Sequence, residues 1–220
     1  MRSFTKKRRI ILYPLFLLLL ITSCTPKPEE QAKAPKAPEE QAKAPEEQIK
    51  VYQEAYNSGD VEKELSCFTE DIRFEVVEQY RVEGKKALRR LFETNAVLNS
   101  QIVLTDLKID GNRITCKIKE ESDWITVSGI GVLDYEFCRF TFEKGLIKDV
   151  SLNYTQTSKQ AVKEHIASFN KWAAEKRSEE FNVLQRTGLV TKDTVGTYLT
   201  LLREWREDIK EQEDIKKEEQ

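Results

Sequence analysis

Gln101-Ile102-Val103-Leu104-Thr105-Asp106-Leu107-Lys108-Ile109-Asp110-Gly111-Asn112-Arg113-Ile114-Thr115-Cys116-Lys117-Ile118-Lys119-Glu120 decides the fold. Ile102 and Leu104 alternate with polar neighbours, Asp110-Gly111-Asn112 is a tight-turn sequence, and Ile114, Cys116 and Ile118 then alternate again. A period of two marks half-buried strands, and a glycine inside such a turn lets the chain double back as a hairpin. Downstream, Cys138, Phe140 and Phe142 continue the period, and Lys144-Gly145 is a turn before a last strand over 146–154. Three long strands and a fourth, joined by short turns, predict an antiparallel meander.

Upstream of the hairpin the period is helical. Ile49, Tyr52, Ala55 and Tyr56 share one face of a helix over 46–58. Asn57-Ser58-Gly59 ends it, and Asp60 caps a second helix over 61–68. Residues 71–77 alternate as a strand, a short strand lies near 79–83, and Gly84 precedes a third helix over 85–98 carrying Leu88, Leu91, Phe92 and Val97. The order predicts an α+β fold, with helices on one face of a curved antiparallel sheet.

Over residues 49–154 the chain resembles the nuclear transport factor 2-like superfamily, which includes ketosteroid isomerase and the SnoaL-like proteins. The resemblance rests on Tyr52-Gln53-Glu54-Ala55-Tyr56-Asn57-Ser58-Gly59-Asp60, on Leu65-Ser66-Cys67-Phe68-Thr69-Glu70-Asp71-Ile72-Arg73-Phe74, on Gly84 and Leu88, and on the Phe140, Phe142, Gly145 and Ile147 hairpin. It implies a cone, in which a bent sheet wraps round a pocket that helices close. The isomerase branch also needs an oxyanion-hole tyrosine, a carboxylate base and a protonated aspartate, because a developing enolate must be hydrogen-bonded in a dry site. By resemblance the tyrosine falls on Tyr52, but the base falls on Val76 and the second acid on Cys138. That activity is therefore not carried over. Other branches use a core histidine, and the single histidine, His165, lies beyond the core on an apolar helical stripe.

Strand parity extends the pocket. With Val76 and Cys138 inward, Phe74, Glu78, Glu136 and Phe140 also point inward, and Glu120 shares the face of Ile118. The candidate pocket is then Tyr52, Phe74, Val76, Glu78, Glu120, Glu136, Cys138 and Phe140. Three glutamates at a rim suit a cationic or amine-bearing ligand, and a buried one would have a raised pKa fit for acid–base work. Outward parity gives Arg73, Glu75, Val77, Tyr135, Phe137 and Arg139, a face to be covered by a second copy, as in the resembled family, or by the C-terminal helices.

The N-terminus gives an address. A basic cluster (Arg2, Lys6, Lys7, Arg8, Arg9) precedes an apolar run from Ile10 to Ile21, then Thr22-Ser23-Cys24. This is the layout of a secretory signal peptide over 1–23, and its ending resembles the lipobox of bacterial lipoproteins. The run is shorter than the ~20 residues a membrane-spanning helix needs. The resemblance implies cleavage before Cys24, acylation of Cys24 with diacylglycerol and a further chain such as palmitate, and a membrane-anchored cell-envelope protein. Thr25 in place of aspartate points, by analogy with enteric lipoproteins, to the outer membrane where there is one. Residues 24–45 form a linker in which Glu-Glu-Gln-Ala-Lys-Ala-Pro occurs at 29–35 and 39–45. It carries nothing to bury a core and reads as an extended, disordered spacer.

Without residues 1–23 the chain has 31 basic against 38 acidic residues, a formal −7. Such a chain with no basic patch is a poor nucleic-acid binder. Cys67, Cys116 and Cys138 lack metal-ligand spacing, so neither a metal nor a cofactor is expected; the three read as buried thiols, with at most one disulfide, between Cys116 and Cys138 on neighbouring strands, as the alternative that an envelope compartment permits. Residues 46–155 form the cone domain and 156–220 a helical extension: 157–177, 178–187 and a third helix from Thr191, charged at its end. Three functions fit. The domain binds a small ligand or protein partner without catalysis; it is an enzyme using Tyr52 and an inward glutamate; or it is a dimerising envelope-assembly module.

Overall fold

The computed structural model describes residues 44–187 and 190–218. The signal segment, Cys24 and the linker up to residue 43 lie outside the described residues. The elements in chain order are α1 (Pro45–Ser58), α2 (Val61–Ser66), β1 (Phe68–Val76), β2 (Tyr80–Glu83), α3 (Lys85–Val97), β3 (Gln101–Asp110), β4 (Arg113–Glu121), α4 (Asp123–Ser128), β5 (Leu133–Glu143), β6 (Leu146–Tyr154), α5 (Gln156–Lys176), α6 (Ser178–Thr187) and α7 (Val195–Glu218). The last proline of the linker repeat opens α1, where its missing N–H costs nothing.

Six strands form one curved sheet in the order β2-β1-β6-β5-β4-β3. Every pair is antiparallel except β1 with β6, which is parallel. The β3–β4 hairpin forms over Gly111, and β5 turns into β6 through Lys144 and Gly145, both at positive φ as a tight hairpin turn needs. The sheet with α1, α2 and α3 makes the bent sheet and helical cover that the resemblance implies.

The bend has local causes. The β3–β4 register slips between Thr105 and Lys108, with Asp106 at φ 55°, and the β5–β6 register slips between Glu136 and Arg139, with Phe137 at φ 55°. Each slip is a β-bulge, which bends a strand and reverses the facing of the residues beyond it. In β5, therefore, Leu133 and Tyr135 face inward before the bulge, and Cys138, Phe140 and Phe142 after it. Uniform parity would put Tyr135 outside and Glu136 inside; the bulge does the opposite. Cys116 and Cys138 sit directly opposite each other as buried free thiols.

The first core cluster fills the cone between sheet and helices. A second is built by Leu98 with Phe169, Trp172, Leu184, Leu199, Leu202 and Trp205. Its seat is α4, a short helix that periodicity does not reveal, against which α7 packs. The C-terminal helices thus dock at the open end of the cone and leave the outer sheet face uncovered, where Phe137 is 76% exposed. Residues 41–220 form one compact unit holding both clusters, so this segment carries the packing its fold needs.

Candidate functional site

A cavity of about 430 Å³ opens inside the cone, within the range of small-molecule sites. α1 supplies Tyr52 and Tyr56, one helical turn apart on its buried face. The Tyr52 ring is held edge-on to Phe68 at 5.5 Å and against Phe140 at 5.8 Å. Its hydroxyl makes no hydrogen bond among the described residues, although the side chain lines the cavity.

Glu120, near the end of β4, is the acidic centre of the wall. Tyr56 Oη donates to its Oε1 at 3.3 Å, and Tyr135 Oη donates to its Oε2. Asn95 Nδ2 donates in turn to Tyr56 Oη at 3.2 Å. The Tyr135 and Tyr154 hydroxyl oxygens are 3.3 Å apart, with rings stacked at 4.5 Å. A hydroxyl carries one proton, so Tyr154 is the donor in that contact whenever Tyr135 donates to Glu120. Burial raises the Glu120 carboxyl above its ordinary range, and the hydrogen bonds from Tyr135 and Tyr56 only partly oppose this. Burial raises the Tyr135 hydroxyl too, with the charge of Glu120 adding to it. The arrangement is a carboxyl ready to hold a proton, inside a ring of hydroxyls.

Of the eight candidate pocket residues, Tyr52, Phe74, Val76 and Glu120 line the cavity. Cys138 and Phe140 are buried behind the wall. Glu78 does not face inward: the strand has ended, the residue adopts φ 63°, and its carboxylate pairs with Lys159 at the surface. Glu136 does not either, because it precedes the bulge and stands on the outer face near Lys117. Of the three glutamates expected at a rim, Glu120 alone faces the cavity, half-buried in its wall. Tyr56, Tyr135 and Tyr154 complete its surroundings and escape strand parity. Tyr56 alone had a signal, the i+4 spacing from Tyr52 on one apolar stripe.

The C-terminal extension roofs the cavity through Ile166 of α5, Val190 and Thr191 ahead of α7, and Tyr198 of α7. Lys192 Nζ pairs with Glu93 Oε2 at 3.0 Å, pinning the crossing to α3. Beneath it, His165 is enclosed by Trp124, Phe169 and Trp205, with Nε2 3.4 Å from Ser128 Oγ. It makes a packed joint away from Glu120. Among the described residues, no group of three or more His, Cys, Asp or Glu side chains stands together as a metal site, and no helix is long and apolar enough to cross a membrane.

No protein-family model matches the chain, and no curated protein matches it by sequence. Similar solved structures include an epoxide hydrolase/cyclase-like enzyme of pyran-ring formation in the polyether salinomycin, 24% identical over 52% of this chain and 92% of that one, at a TM-score of 0.46. A nuclear transport factor 2-like protein of unknown function from Cytophaga hutchinsonii is 12% identical over 51% and 90%, at 0.43. A de novo designed protein with a curved β-sheet is 16% identical over 55% and 93%, also at 0.43.

Proposed function

We propose that this chain is a lipid-anchored envelope protein whose cone holds a small, mainly apolar molecule with one polar group directed at Glu120. The observation that carries the reading is the cavity itself: an apolar chamber with Glu120, Tyr56 and Tyr135 hydrogen-bonded together on its wall, under a roof of C-terminal helices. A module built only to dimerise would have the chamber filled by Phe74, Phe140 and Phe142; of these, only Phe74 reaches the wall. The anchor rests on the lipobox-like approach to Cys24. An acid–base enzyme is the second reading. It is favoured by the raised carboxyl of Glu120 in the same chamber as the unpartnered Tyr52 hydroxyl.

Native mass spectrometry of residues 41–220 tests the cavity. A co-purifying mass that is lost on denaturation, and weakened by Tyr52→Phe and Glu120→Gln, is the expected result; a clean empty chain under every growth condition counts against it. With that molecule in hand, Glu120→Gln separates the two readings: binding kept but conversion abolished marks an enzyme, and no conversion by the parent chain marks a binder. For the anchor, full-length chain should take up labelled palmitate and Cys24→Ser should not; equal labelling would remove it.

A further inference from the structure

Besides its tyrosines, the lining holds one acidic and one basic side chain, Glu120 and Arg90. Arg90 lies on α3, beside the Ala87, Leu91 and Asn95 stripe that faces the cavity at i, i+4 and i+8. It is exposed at the rim, next to the crossing where Val190 meets Thr94 and Lys192 meets Glu93. Its neighbours' charges are spent. Arg89 is bound through both Nη atoms by Glu62, and Glu93 is taken by Lys192. The Arg90 guanidinium makes no ion pair or hydrogen bond among the described residues; only its backbone carbonyl is engaged, by Thr94 Oγ1 at 2.8 Å.

The two polar ends are separated along α3. Asn95, which reaches the Glu120 network through Tyr56, lies five residues after Arg90, about 7.5 Å of helix rise. The arginine side chain is longer than that of Asn95 and leans toward the helix N-terminus, so its guanidinium stands on the order of 10 Å from the Asn95 end. Much of the remaining wall is apolar, with Phe74, Val76, Leu91 and Leu152 beside Tyr80.

Resting on the cavity reading above, we infer that the ligand is an amphipathic anion: an apolar body on the order of 10 Å long, with a hydroxyl or carbonyl toward Glu120 and Tyr52 and an acidic group at Arg90. The inner end is built for a neutral polar group, since Tyr56 and Tyr135 already donate to the Glu120 oxygens and the Tyr52 hydroxyl is left to donate. The rim is built for an anion, because a guanidinium offers a planar fork of donors matched to a carboxylate. An amine, which a rim of three glutamates would have suited, instead meets a cation at the entrance.

Calorimetric titration of residues 41–220 with 10-hydroxydecanoate, its methyl ester and 10-amino-1-decanol, each below its micelle concentration, tests the inference. The acid should bind about tenfold tighter than the ester, the scale of a hydrogen bond to a charged group, and the amine most weakly. Arg90→Gln should erase the acid–ester gap by weakening the acid toward the ester, and Arg90→Lys should keep part of it. An ester that binds the parent chain as tightly as the acid, or a gap that survives Arg90→Gln, overturns this inference and leaves the cavity reading standing. Failure of all three compounds to bind overturns both.

Discussion

Two buried titratable side chains outside the cavity set how this domain responds to pH. Glu64, on α2, is 2% exposed and its Oε1 has no hydrogen-bond partner; burial pushes the carboxyl up to about 9. The folded state therefore keeps a proton that the unfolded state releases above its ordinary pKa of 4.5. Stability contributed by the neutral form is full below pH 4.5 and falls as pH rises toward 9, by about 1 kcal/mol per pH unit. His165 works the other way. Burial, then the charge of Arg206, pushes it down to about 4, so between pH 6.5 and 4 only the unfolded state takes up a proton and stability is lost on acidification. The two slopes oppose between pH 4.5 and 6.5; above that range the Glu64 slope remains, and the raised carboxyl of Glu120 adds one of the same sign. Thermal melts against pH should show a plateau, then a decline. Glu64→Gln should lessen the decline above pH 6.5 and uncover a rise from pH 4 to 6.5; an unchanged profile would exclude Glu64 as a source of it.

At the scale of elements, one bulge accounts for most of the difference between strand parity and the observed wall. Tyr52 and Glu120 are legible from the sequence because each lies on an uninterrupted element, where spacing alone fixes facing. Glu136 and Tyr135 are not, because Phe137 at φ 55° inserts one residue between them and Cys138. A bulky aromatic has no preference for that conformation, so nothing in the local sequence announces the bulge. Holding it there costs on the order of 1 kcal/mol, and the exposed ring recovers little by burial. Phe137→Asn, which suits left-handed backbone, should raise the urea midpoint by about 0.5–1 kcal/mol of stability without altering ligand binding. Destabilisation would show that the ring is covered in solution, as an interface between two copies would do. The missed α4 has a similar origin: six residues are too few for a helical period to emerge.

Across the whole molecule, the extension is part of the chamber. The apolar stripes of α5 and α7 are visible in the sequence, and so is their need for a partner. What they pack on is not, because the seat is α4 and the end of α3. Trp205 is the keystone of that joint, 4.9 Å from the His165 ring and 6.1 Å from Phe169. Trp205→Ala should cost about 3–5 kcal/mol in urea unfolding. It should also speed ligand release, measured by stopped-flow, because Tyr198 and Val190 of the roof are tied to the same cluster. Lost stability with unchanged release would make the extension a support and not a roof.

By itself the sequence determined the class of fold, the order of its elements and the residues on unbroken helices and strands, because hydrophobic period and turn chemistry are local properties. It also carries the whole argument for an anchor at Cys24, a covalent signal that needs no fold. Only the tertiary structure decided which glutamate faces the cavity, that three tyrosine hydroxyls and an asparagine gather round it, and where the C-terminal helices dock. Those outcomes depend on a register slip and on long-range packing between segments far apart in the chain. Neither leaves a period in the residues that take part.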